Sequence, residues 1–165
     1  MHFLLKYPIR RELATVKWNP KQMEWGNNDN YLDMKNHKIV MQKHKTSKHT
    51  GTHEFPLTRN MWRLWGLMKK QLTLHKINKG HLLNSKYYRP MTLNGFSSWL
   101  KREMQRCPAC KGKAVSTMVI RHCAITHKRR MEMTNEQKRE YAKNCLHSEQ
   151  RNNLYRVHEN TEQST

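Results

Sequence analysis

Acid is what this sequence holds least of. Twelve Asp and Glu stand against 32 Lys and Arg in 165 residues, a formal charge of +20, with an isoelectric point near 10.2. So large an excess of one sign points to a polyanionic partner, nucleic acid first. Long apolar runs are missing too. The apolar share is 36% and mean hydropathy is −1.04. The stretch "FLL" at 3–5 is too short for a signal-peptide core or a membrane span. Cysteine is sparse, at 107, 110, 123 and 145, which implies no disulfide framework and suits an intracellular chain with reduced thiols. Internal repeats and long low-complexity linkers are absent. The length suits one domain, or one domain with a tail.

What is there is clustered enough for a modest core. "YPIRRELATVKW" (7–18) reads as a short helix starting after Pro8. Residues 30–58 read as strands: alternation over Lys38–Gln42 and the β-rich "THEFPL" flank a polar turn, "KTSKHTG". Thr58 caps a helix whose Met61, Trp62, Trp65, Leu67, Met68 and Leu72 form a broad apolar face. Thr92 caps the next, with Phe96, Trp99 and Leu100 on one face, and "CPACKGK" is a loop. Ser116 opens "TMVIRHCAITHKRR", and Thr134 with Gln137 makes a capping box for "NEQKREYAKNC". A short last helix carries Tyr155, and the tail from Glu159 frays. The expected fold class is α+β, a small three-stranded antiparallel sheet with a mostly helical remainder. Trp62, Trp65 and Trp99 fall at core spacing, which favours packing over base stacking.

Five segments, taken in order, resemble the tyrosine recombinases, the phage-integrase-type family. "YPIRREL" resembles the first arginine box. "KHKTSKHTGTHEFPL" resembles the hairpin that carries the family's lysine. "KYYRPMTLNGFSSWLKREM" is similar to the segment before the second box, which "STMVIRHCAITH" resembles. "KNCLHSEQRNNLYR" is similar to the final box, a His-Ser element followed by the nucleophilic Tyr. Each piece alone is weak; the ordered set over about residues 4–157 is specific.

The resemblance implies DNA strand cleavage and rejoining through a 3′-phosphotyrosyl link, independent of metal and ATP. The chemistry fits the residue types. A tyrosine with a pKa of about 10 is a poor nucleophile at neutral pH unless cations surround it. Two arginines can clamp the non-bridging phosphate oxygens, and a mobile lysine can protonate the departing 5′ oxygen. The implied roles are Tyr155 as nucleophile and Arg10 as first arginine, with Arg11 the alternative. Arg121 is the second arginine, and His147 hydrogen-bonds the phosphate. Lys45 is the general acid, with Lys48 the alternative and Lys43 a weaker one. Lys43, Lys48, Arg129 and Arg156 are expected to contact DNA.

Two departures stand out. The second box usually begins His-x-x-Arg, but here Met118 occupies the His slot and cannot act as acid, base or strong donor, which implies slower chemistry. His122 reads as structural. The chain also starts almost at the first arginine box. The expected layout is a catalytic domain over 1–158 without the usual preceding helices and core-binding domain, then a disordered tail over 159–165. Affinity then rests on charge. The implied partner is double-stranded DNA, bound by a homotetramer on paired sites, in a nucleus or a bacterial or viral-host cytoplasm. No cofactor is expected.

A different class of function competes. Cys107-x2-Cys110-x12-Cys123-x3-His127 has zinc-finger-like spacing, and Cys123 and His127 share a helical face. On that reading the chain is a small basic zinc-stabilised nucleic-acid binder, for instance ribosome-associated. A third possibility is an inactive recombinase remnant that still binds DNA.

Overall fold

The computed structural model describes residues 2–18, 29–74, 80–85, 89–129, 131 and 133–146. The chain runs α1 (His2–Lys6), a 3₁₀ turn (Glu12–Thr15), β1 (Lys17–Trp18), β2 (Tyr31–Asp33), β3 (Lys38–Met41) and α2 (Ser47–Thr50). It continues through β4 (His53–Pro56), α3 (Arg59–Leu74), α4 (Leu93–Arg106), a 3₁₀ turn (Pro108–Cys110), α5 (Thr117–Arg129) and α6 (Asn135–Asn144).

The sheet has four strands in the order β1-β2-β3-β4, not the expected three. β2, β3 and β4 are antiparallel, whereas β1 joins β2 in parallel through Lys17–Tyr31 and Trp18–Leu32. The expected helix over 7–18 is correspondingly replaced. Pro8 carries no N–H and disfavours a helical residue before it. The chain makes only one 3₁₀ turn before the fully buried, β-branched Val16 leaves it extended. Lys17 N–H then donates to the Asn30 carbonyl and Trp18 N–H to the Gly80 carbonyl, both at 2.8 Å.

Aromatic packing ties α1 to β4. Phe3 and Tyr7 have ring centroids 5.2 Å apart, and Tyr7 and Phe55 5.1 Å. The Tyr7 hydroxyl donates to the Pro56 carbonyl at 2.6 Å. Such contacts contribute about 0.5–1.5 kcal/mol per ring pair beyond area burial. Leu32, Ile39, Met41, Phe55, Phe96 and Leu100 continue the core.

The caps read from the sequence form. Thr58 Oγ1 accepts from Met61 N–H at 3.3 Å, and Thr92 Oγ1 from Gly95 N–H at 2.9 Å. Thr134 and Gln137 make the reciprocal box, at 3.2 and 2.9 Å. The apolar face of α3 is narrower than expected. Met61 is buried and Trp65 packs on the core, but Leu67 is 53% exposed and Met68 37%; the Leu72 side chain lies outside the described residues. Trp62 meets the His37 ring at a tilt, with centroids 4.0 Å apart. Trp99 packs against the core and stacks on Phe96. On α5 the buried stripe is Thr117, Ile120, Arg121, Ala124 and Ile125, a helical repeat that points a charged residue inward. α5 packs on α1, and α6 on β4.

Candidate active site

Asn30 sets the geometry of the β3–β4 connection. It is buried, and its four hydrogen bonds satisfy the amide's donors and acceptor. Nδ2 donates to Thr15 Oγ1 and to the Lys43 carbonyl, both at 2.7 Å. Oδ1 accepts from the N–H groups of Gln42 and Lys43 at 2.9 and 2.8 Å. One side chain thus fixes where β3 ends and where the next three residues point.

Those residues are His44, Lys45 and Thr46. His44 is buried; its Nε2 lies 3.0 Å from the Gly51 carbonyl and its Nδ1 3.3 Å from Thr46 Oγ1. The first bond spans the tip, which holds the single helical turn α2. Gly51 closes that turn at φ 68, a conformation that favours glycine. The His44 ring meets His53 edge-on, with centroids 5.2 Å apart. Burial depresses the His53 pKa, and the neighbouring His44 and Lys143 add to this. Lys45 is exposed beside the anchored His44.

Arg121 comes from the inward face of α5 and is 1% exposed. Its guanidinium donates to the Cys145 carbonyl at the end of α6. Cys145 is held in place by a small cluster with Ile125 and Tyr141. The next residue, Leu146, has φ 54, and its carbonyl accepts from Thr46 Oγ1 at 3.1 Å. Two successive carbonyls therefore join α5 and the β3–β4 tip to the point where the chain leaves α6.

These elements enclose one pocket, lined by Arg10, Glu12, His44, Lys45, Thr46, Arg121 and Leu146, with room for about 10 Å³. Room of that size admits about one water, so a larger anion is met at the mouth. Three always-or-usually charged cations face one carboxylate there. Glu12 Oε2 is buried with no hydrogen-bond partner among the described residues. The arrangement suits a tetrahedral anion approached by two planar guanidinium forks and one ammonium.

Arg10, Lys45 and Arg121 are thus brought together. Arg11 is turned away: its Nη1 donates to Asn94 Oδ1 at 2.9 Å, at the start of α4. Lys43 and Lys48 are exposed on the same connection and do not line the pocket. Met118 sits outside the buried stripe of α5, 36% exposed, and His122 is half-buried. His147, Tyr155 and Arg156, and the side chain of Arg129, lie outside the described residues.

Among the described residues, no group of three or more His, Cys, Asp or Glu gathers as a metal site. Cys107 and Cys110 are neighbours on the 3₁₀ turn after α4, whereas Cys123 and His127 are exposed on α5. The zinc spacing is therefore a matter of sequence only here.

Sequence reasoning missed Asn30, His44, Thr46 and Glu12. Asn30 ends the polar run "NNDN" just before an apolar "YL", and nothing in that run singles it out. The others are ordinary polar residues until the pocket forms.

No family model and no curated protein matches this sequence. Solved structures do. XerA recombinase shares 16% identity and a TM-score of 0.66, over 92% of this chain and 48% of its own. The Tn1549 transposon integrase in complex with transposon right end DNA shares 14% and 0.63, over 95% and 53%. The same integrase with circular intermediate DNA gives 14% and 0.63, over 94% and 52%. The chain spans about half the length of these proteins, and over that span it has a tyrosine-recombinase catalytic-domain-like fold.

Proposed function

We propose that this chain is a site-specific DNA recombinase or integrase catalytic domain that cuts and rejoins double-stranded DNA through a 3′-phosphotyrosyl intermediate. The observation that carries this is the shared pocket of Arg10, Lys45 and Arg121, drawn from three separate elements of a recombinase-like fold.

The scissile phosphate sits at the pocket mouth. Arg10 and Arg121 hold its non-bridging oxygens and offset the charge that builds in the pentavalent transition state. Burial gives Arg121 a fixed direction, so little reorganisation accompanies the reaction. Tyr155 attacks phosphorus and releases its phenolic proton to solvent, His147 hydrogen-bonds a phosphate oxygen, and Lys45 gives its proton to the 5′ oxygen as the bond from that oxygen to phosphorus breaks. Rejoining reverses the steps, with the 5′ hydroxyl attacking and tyrosine leaving. Met118 supplies no proton or strong hydrogen bond, so turnover is slow. Exposed Lys43 and Lys48, with Arg129 and Arg156, contact the DNA backbone. A homotetramer on paired sites would complete the exchange. Nothing in the site favours the zinc-stabilised binder.

The test is covalent capture. Purified chain is incubated with supercoiled plasmid and quenched with detergent. Protein-linked DNA and relaxed topoisomers are expected, and both are lost in Tyr155→Phe and in Arg121→Ala. An adduct that survives Tyr155→Phe would sink the assignment of the nucleophile.

A further inference from the structure

The stretch Cys107-Pro108-Ala109-Cys110 has no part in the DNA chemistry. It forms a single turn in which Cys110 N–H donates to the Cys107 carbonyl at 2.9 Å. A turn closed by that bond holds its end Cα atoms within about 7 Å, close to the span of roughly 4.4–6.8 Å that a disulfide bridges. Cys107 caps the 3₁₀ turn Pro108–Cys110 with extended backbone, and burial together with the neighbouring Cys107 thiol raises the Cys110 pKa. The pair is unequal: Cys107 is exposed, while Cys110 is half-buried and packs against the core. Arg106, Lys111 and Lys113 flank it in sequence. The Gln105 side chain straps the loop, accepting from Gly112 N–H at 3.0 Å and donating to the Lys113 carbonyl at 2.5 Å.

We infer that Cys107 and Cys110 form a redox-active dithiol, a modification site that closes to an intrachain disulfide by exchange with a small-molecule disulfide. The exposed Cys107 thiolate attacks one sulfur of the reagent and expels the other as a thiolate. Cys110, giving up its proton, then displaces the second reagent thiol from Cys107. Two electrons and two protons pass to the reagent, which leaves as two thiols. The other two cysteines are poorly suited: Cys145 is buried, and Cys123 lies on a different element.

The test equilibrates the full chain, under chelator, with oxidised and reduced glutathione in stepped ratios. Free thiols are alkylated, and the chain is digested with trypsin. The peptide Cys107–Lys111 carries both residues. It is expected unalkylated and two hydrogens lighter, at ratios that leave Cys123 and Cys145 reduced. Cys107→Ser, at an exposed position that does not threaten the fold, should abolish closure; Cys110→Ser should trap glutathione on Cys107. A stable glutathione adduct on Cys107 of the unaltered chain would overturn the proposal. So would oxidation of Cys123 before closure, or a stoichiometric zinc ion that protects both thiols from oxidation when chelator is omitted.

Discussion

The Thr46 hydroxyl donates to the Leu146 carbonyl at 3.1 Å, across one hundred residues of sequence. Leu146 is the last described residue before the segment that carries His147 and Tyr155, and Thr46 follows Lys45 directly. The bond therefore couples the position of the proposed acid to the start of the proposed nucleophile's segment. Thr46→Val keeps the shape and removes the donor. It should cost about 0.5–1.5 kcal/mol in urea unfolding and lower adduct yield more than DNA affinity. Equal losses in both would argue against coupling.

Arg121 should separate stability from activity. A buried guanidinium carries a desolvation cost that well-packed apolar atoms avoid. Arg121→Met sheds that cost but orphans the Cys145 carbonyl, so stability should change by no more than about 1–3 kcal/mol while adduct formation falls by about 10²-fold or more. A variant that unfolds would instead make Arg121 a structural strut.

Asn30 is expected to matter more than its place outside the pocket suggests. Asn30→Ala strands the Lys43 carbonyl and two N–H groups, costing about 1–3 kcal/mol in denaturant unfolding. Accelerated hydrogen exchange should concentrate at Gln42 and Lys43. A stability change below a few tenths of a kcal/mol would refute the anchoring role.

Acid should weaken the fold before any carboxylate titrates. Burial foremost depresses the His53 pKa below 6.5, with His44 and Lys143 adding to it; burial likewise depresses His81, aided by Lys17 and opposed by Asp29. Above about pH 6.5 these rings are neutral in both folded and unfolded chain, so stability is flat. Below it the unfolded chain takes up protons that the folded chain refuses. The melting temperature should therefore fall as the pH drops through about 6.5, and level off only once the folded rings titrate. His53→Gln should flatten the slope; an unchanged slope would locate the effect elsewhere.

DNA affinity should be steeply salt-dependent. For B-DNA each neutralised phosphate contributes a slope of roughly −0.9 in log affinity against log salt. Lys48→Ala, which touches no part of the pocket, should reduce that slope by about one and leave sequence preference alone. A slope indifferent to Lys48 would move the DNA path away from the β3–β4 tip.

Much of the fold was legible because its signals are local. Thr92 and the Thr134–Gln137 box each declare a helix start within four residues. The β3–β4 pairing follows from alternation on both sides of a polar turn. β1 was not legible: two residues, Lys17 and Trp18, carry no period, and their parallel partner lies beyond a long connection. The inward turn of Arg121 could be named by likeness to a box but not by periodicity, since a charge on an apolar stripe reads as a boundary. Arg10 and Arg11 were inseparable in sequence; Asn94, at the start of α4 and far from Arg11 in sequence, is what draws Arg11 away. The breadth of the α3 face was overread because apolar identity does not guarantee a neighbour to pack on.

Among the described residues the β1 margin of the sheet is paired, and the β4 margin is blunted by a proline. On the β1 side, Leu82 N–H donates to the Val16 carbonyl at 2.7 Å and His81 bridges Lys17. On the β4 side, Pro56 has no N–H to offer, Glu54 is exposed, and α6 packs nearby. A strand from a second copy would find the β1 edge taken and a proline-blunted, charged β4 edge. Self-association of this very cationic chain should therefore run through helices or through a shared anion, and concentrated stocks should resist fibrous aggregation better than their marginal apolar content suggests.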